Sequence, residues 1–96
     1  MSPTERLFSA PVVKATAAAL RDGDPTWIVG GAVRDAVLGR EVTDLDLAVA
    51  GDPGAAARTI AGEIGEHAFE LSAEFGTWRV AAAGRGWQVD VTALRG

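Results

Sequence analysis

The sequence predicts an α+β domain, a small mixed β-sheet with helices packed mainly on one face. Three observations lead there. Apolar residues recur at helical spacing in segments closed by Gly or Pro. Between those segments stand short alternating runs such as Asp44-Leu45-Asp46-Leu47-Ala48-Val49. The last third of the chain holds β-type runs with no helical segment between them.

In chain order, Ser9 is placed to cap a helix running to about Asp22, with Val13, Thr16, Ala17 and Leu20 at i, i+3, i+4, i+7. Gly23 ends it and Pro25 follows. Thr26 to Val29 is a short β run that meets Gly30-Gly31. A second, short helix presents Val33, Val37 and Leu38 on one side and stops at Gly39. Asp44 to Val49 is a strand. Asp52 caps and Pro53 opens a third helix whose buried stripe is Ala56, Ile60 and Ile64, with Gly65 as its stop. Ala68 to Leu71 is a short strand, and Phe75-Gly76 turns the chain into Thr77 to Ala83. Gly84-Arg85-Gly86 has hairpin chemistry, and Trp87 to Ala93 is the last strand.

Length and composition narrow the function. Ninety-six residues make one small domain, and 48% hydrophobic residues argue for a folded globule. No apolar run approaches the roughly 20 residues of a membrane span. The first residues, with Glu5 and Arg6, lack the apolar core of a signal peptide. Without cysteine there is neither a disulfide nor a Cys-based zinc site. These features fit a cytoplasmic protein. The net charge of −4, with basic residues scattered, has the wrong sign for a stand-alone RNA binder. A grip on RNA would need metal ions, another domain or a partner.

The residues able to carry chemistry are acidic. Alternation puts Asp44 and Asp46 on one face of their strand and Leu45, Leu47 and Val49 on the other. Two strand steps separate the carboxylates by roughly 7 Å along the backbone. That spacing lets them converge on one hard cation or share two lying about 4 Å apart. The same pattern also suits a solvated strand end. Gly30-Gly31, between a strand and a helix, lets a phosphate approach the backbone, and Arg34 is one turn further on. A tight turn with Arg34 paired to an exposed carboxylate accounts for the same residues. In Gln88-Val89-Asp90-Val91-Thr92 the polar residues share one face. If that strand lies beside the Asp44 strand, Asp90 joins the acidic pair; otherwise it is one more solvated residue. Together, a glycine turn thirteen residues before an Asp-x-Asp strand and a later lone Asp make the outline of a triphosphate cradle beside a carboxylate cluster. His67 stands alone, which suits a surface or structural residue. Trp27, Trp78 and Trp87 offer stacking surfaces, but Trp78 and Trp87 alternate in phase with Val80 and Val89 and read as cover for the core.

The stretch Trp27-Ile-Val-Gly-Gly-Ala-Val-Arg-Asp-Ala-Val-Leu-Gly-Arg-Glu-Val-Thr-Asp-Leu-Asp-Leu-Ala-Val resembles the signature of class II CCA-adding enzymes and bacterial poly(A) polymerases, members of the polymerase-β-like nucleotidyltransferase superfamily. The likeness continues through Phe75-Gly-Thr-Trp-Arg-Val and Val89-Asp-Val-Thr-Ala-Leu-Arg-Gly. It implies a polymerase-β-like head domain over residues 1–96, without neck or RNA-binding parts. It implies that Asp44 and Asp46 bind catalytic Mg²⁺, in a two-metal site, with Asp90 where the third carboxylate falls. Gly30, Gly31 and Arg34 would contact the nucleotide's phosphates, and Asp35 would brace the loop before Asp44. The implied partners are ATP or CTP and an RNA 3′ end, above all that of tRNA. In the family, an Arg-Arg-Asp motif and a base-selecting helical neck follow the point where this chain ends. The chain is thus expected to be a fragment, a truncation or a split subunit, open to self-association or to a C-terminal partner.

Three functions fit: a nucleotidyltransferase domain, a nucleotide-binding module that keeps the motif without turnover, and a small-acceptor nucleotidyltransferase. Gly30-Gly31 followed by Val33-Arg34-Asp35 speaks against the last, whose members usually carry a Gly-Ser turn.

Overall fold

The computed structural model describes residues 1–94. The expected first helix is present over Pro11–Leu20, and a further helix that the sequence reading did not include precedes it. Helix α1 (Pro3–Ser9) opens on a reciprocal cap: Ser2 Oγ accepts from the Glu5 amide at 3.1 Å, and Glu5 Oε1 accepts from the Ser2 amide at 3.3 Å. Helix α2 (Pro11–Leu20) begins at Pro11, which can start a helix but not continue one. Ala10 is the joint, closing α1 and opening α2 in extended conformation. Ser9 caps nothing; its hydroxyl donates back to the Arg6 carbonyl. The buried face of α2 is Val12, Val13 and Thr16, while Ala17 is exposed.

Strand β1 (Thr26–Val29) follows, then α3 (Ala32–Val37), β2 (Asp44–Val49), α4 (Pro53–Ile64), β3 (Ala68–Ser72), β4 (Thr77–Ala82) and β5 (Trp87–Ala93). The buried residues of α3 are Ala32 and Ala36, while Val33, Val37 and Leu38 are exposed. Small side chains let α3 come close to its neighbours, near enough for Arg6 of α1 to donate to the Ala36 carbonyl at 3.2 Å. Helix α4 has the expected ends. Asp52 accepts from the Gly54 amide at 2.9 Å, and Gly65 takes the left-handed conformation at φ +72°. Its buried stripe is Gly54, Ala57, Ile60 and Ala61, with Ala56 and Ile64 only partly covered. Between β4 and β5 the chain makes a 3₁₀ turn over Ala83–Arg85, closed by Gly86 at φ +77°.

The five strands form one sheet in the order β1-β2-β5-β4-β3. β2 and β5 run parallel, and the other neighbours are antiparallel. The sheet is therefore mixed, and β5 lies at its centre. One face carries Leu45, Leu47, Val49, Val80, Val89 and Val91, all buried. Helices α2 and α4 pack on each other and on that face, adding Val12, Val13, Ala57 and Ile60 to the core. Trp87 is buried in it, and Trp78 is half-buried under α4, with the Arg58 guanidinium 5.2 Å above its ring. The other face is open, with Trp27, Val29, Asp44, Phe69 and Ala81 exposed along it. No helix among the described residues is long and apolar enough to cross a membrane.

Candidate active site

The open face carries the chemistry because alternation leaves it the polar residues of β2, β4 and β5. Parallel pairing sets Asp46 directly beside Asp90 and Asp44 beside Gln88. The antiparallel partners extend the row: Val29 of β1 lies against Asp46, and Arg79 of β4 lies against Asp90. Across the middle of the sheet the row thus reads Val29, Asp46, Asp90, Arg79. The condition left open by the sequence, that the strand of Asp90 lie beside that of Asp44, holds.

Like charges side by side on neighbouring strands repel. The Asp46 carboxyl is accordingly held above the usual carboxylate range, first by burial and then by the charges of Asp90 and Asp44. Arg79 works in the opposite direction. Its Nε donates to Asp90 Oδ1 at 2.7 Å and its Nη2 to Asp90 Oδ2 at 2.9 Å, a two-pronged ion pair. The pair is largely sheltered, with 28% of the Arg79 side chain and 19% of the Asp90 side chain exposed. The hydrogen bond to Asp90, followed by the attraction of the three carboxylates, raises the Arg79 pKa further above an already high value. Sequence reasoning missed Arg79.

The two glycines sit at the rim of this row. Gly30 has φ +73°, and a β-carbon there would come within 2.6 Å of Asp46 Oδ2. Gly31 has φ −84°, ordinary for any residue, but its β-carbon would come within 2.6 Å of Arg34 Nη2. The glycines thus seat the Asp46 carboxylate and the Arg34 guanidinium against bare backbone. Arg34 is 67% exposed, and among the described residues its one ion-pair contact is with Asp35 at 3.5 Å. Asp35 braces the following loop through its backbone, its carbonyl accepting from the Arg40 amide at 2.8 Å.

Recesses of about 330 and 360 Å³ flank residues 23–26, another of about 380 Å³ lies against residues 39–42, and none of them contains Asp44, Asp46 or Asp90. A shallower one of about 260 Å³ reaches Asp44 from the β4–β5 turn. The carboxylates therefore stand on an open surface. Among the described residues no three acidic or imidazole side chains close on a common cation position. The donor set still suits a hard divalent ion: hard oxygen ligands, mutual repulsion that a cation relieves, and a glycine wall that leaves Asp46 its room. His67 is exposed and apart from the row.

Residues 26–96 match the family model described as the poly A polymerase head domain. A CC-adding tRNA nucleotidyltransferase of Geobacter sulfurreducens is 38% identical over 90 residues, covering 93% of this chain and 21% of that protein. An A-adding tRNA nucleotidyltransferase of the same organism is also 38% identical, over 97 residues, and this chain spans 11% of it. These relatives are enzymes, and the chain spans about a fifth of their length or less. A tRNA nucleotidyltransferase solved with a primer tRNA and an incoming ATP analogue superposes with a TM-score of 0.67 at 31% identity, over 84% of this chain and 23% of that one. The Thermotoga maritima CCA-adding enzyme has a TM-score of 0.75 over 99% of this chain and 24% of its own, at 22% identity, a likeness of fold. The motifs around Gly30, Asp44 and Asp90 fall inside the matched segment, and the mixed five-stranded sheet that aligns them is the fold of these enzymes, so the chain belongs to the poly(A) polymerase head-domain family of nucleotidyltransferases.

Proposed function

We propose that residues 1–96 form the catalytic head of a nucleotidyltransferase that acts on the 3′ end of tRNA in the cytoplasm. It would transfer AMP or CMP from ATP or CTP with release of pyrophosphate. The observation that carries this reading is the register of Asp46 beside Asp90 on the open face of the sheet, with Asp44 two residues upstream on the same face. Asp44 and Asp46 would hold Mg²⁺, with Asp90 as third carboxylate. Bound there, Mg²⁺ supplies charge neutralisation for the triphosphate and lowers the pKa of the attacking hydroxyl, by one ion or two.

The chain's own groups account for the rest. Arg34, exposed and resting over Gly31, is placed to take a phosphate with two parallel hydrogen bonds. Gly30 keeps the Asp46 carboxylate pointing along the open face rather than into a side chain. The uncovered sheet face leaves room for an RNA end to approach. Its negative charge disfavours RNA unless cations or further protein lie between.

These residues address phosphates and cations, which all four nucleoside triphosphates share. The isolated chain is therefore expected to bind the four with similar, weak affinity and to extend a primer slowly and without regard to base. The test is titration of each nucleotide with saturating Mg²⁺, plus primer extension, for the wild type and for Asp44→Asn/Asp46→Asn. Metal-dependent nucleotide binding that survives in the double variant would remove the basis of the reading. A preference above about tenfold for one base, roughly 1.4 kcal/mol, would place base selection within these residues.

A further inference from the structure

The Arg79–Asp90 pair asks for more than charge balance. A fork on both oxygens takes one lone pair from each, the two that a cation held by both oxygens of Asp90 would need. Asp90 thus stands beside Asp46 with its chelating edge closed by Arg79. The local charge is also suggestive. Three carboxylates and one guanidinium leave a net of two negative charges, which one divalent ion balances.

We propose that Arg79 is a positioning residue that limits the nucleotide-free site to a single divalent cation, held by Asp44 and Asp46, by keeping Asp90 engaged. The proposal rests on the reading of Asp44 and Asp46 as metal ligands. A second ion can be chelated by both oxygens of Asp90 only after Arg79 has let go. The burial of the pair supports this, because a largely sheltered fork gives up its partner less readily than a solvated one.

A purely structural Arg79 would stabilise the sheet without affecting how many ions bind. Mn²⁺ alone separates the two, followed by the free-ion spin resonance signal and by calorimetry on the full chain. The wild type is expected to take one Mn²⁺. Arg79→Gln is expected to take two, the first about tenfold tighter, because a positive charge has gone from its side. Arg79→Gln/Asp90→Asn is expected to return to one. Metal-free Arg79→Gln should melt lower than wild type and recover with Mn²⁺. If it does not fold, Arg79→Lys carries the test, since a single ammonium frees one oxygen of Asp90. A second ion in that variant supports the proposal. One ion at wild-type affinity in whichever variant folds overturns it and leaves the reading of Asp44 and Asp46 intact. A wild type that binds no Mn²⁺, matching Asp44→Asn/Asp46→Asn, would overturn that reading itself.

Discussion

Gly30 and Asp46 are in direct apposition: a β-carbon on the glycine would come within 2.6 Å of Oδ2 of the carboxylate, in a backbone already at φ +73°. The pairing of Val29 with Asp46 brings this about, because the residue after Val29 must turn away just where the carboxylate stands. Gly30→Ala is expected to cost about 1–2 kcal/mol from the left-handed backbone alone, and to displace Asp46 as well. Urea denaturation should show that loss, and Mn²⁺ affinity should fall along with it. A variant with full stability and unchanged Mn²⁺ binding would mean that the close approach has no consequence.

Gly31 separates ligand binding from stability. Its φ of −84° suits any residue, so Gly31→Val brings no left-handed strain but pushes the Arg34 guanidinium aside. Arg34→Ala removes the same group outright. Both should weaken ATP far more than adenosine, Arg34→Ala by about 1.5–3 kcal/mol for each charge-assisted hydrogen bond lost. Equal losses for the two ligands would reassign these residues to the fold.

The raised Asp46 pKa gives a pH dependence whose sign can be worked out. Between the unfolded and the folded pKa the native state binds more protons than the unfolded chain. Stability from this group is therefore full below the unfolded value, declines as pH rises through that interval, and is absent above the folded value. Asp46→Asn should flatten that decline and raise the melting temperature of the metal-free protein at neutral pH. Thermal melts from pH 3 to pH 8, on the order of the carboxylate range, check it. A variant whose stability falls more steeply than that of the wild type as pH rises through this interval would contradict the assignment.

Gly54 tests the opposite face of the sheet. A β-carbon there would lie 2.9 Å from Cε2 of Trp78, so α4 rides on the indole with nothing between. Gly54→Ala is expected to destabilise by about 1–3 kcal/mol through overpacking and to shift the tryptophan emission. Mn²⁺ affinity should not change, since Trp78 and Asp90 point to opposite faces. A change in Mn²⁺ binding would mean that the two faces are mechanically linked.

Much of this was legible from local signals, and the failures have local reasons. β1, β2, β5 and α4 have the expected ends, because each is bounded by Gly, Pro or a cap and carries a clean period. The α1 cap was also written, as Ser2-Pro3-Thr4-Glu5, a reciprocal capping pattern with Pro in the first turn. The buried face of α3 was not legible, since its larger apolar residues, Val33, Val37 and Leu38, are the exposed ones. There the helix needs to come close, and Ala does that better than Val. Register was the deeper obstacle. A three-residue Gly84-Arg85-Gly86 connection would set Arg79 opposite Val91, a solvent-facing residue against a core residue. The observed turn spans Ala83 to Gly86 and sets Arg79 opposite Asp90 instead. Alternation demanded that shift, since a one-residue slip reverses every side chain of a strand. The parallel neighbourhood of Asp46 and Asp90 had no comparable local signal; it depends on where β5 inserts.

That insertion has a temporal consequence. β5 is last in chain order among the strands and central in space, joining the β1–β2 pair to the β3–β4 pair. A nascent polypeptide that has left the ribosome only as far as the β4–β5 turn holds two separate hairpin-like pairs, and its Asp46 has no charged neighbour across the strand. Joining them needs contacts between segments about forty residues apart, the kind that form slowly and leave strand edges bare meanwhile. The acidic row and the hydrophobic core are thus completed in one event, so a version of this domain shortened before Trp87 would lose its architecture and its chemistry together.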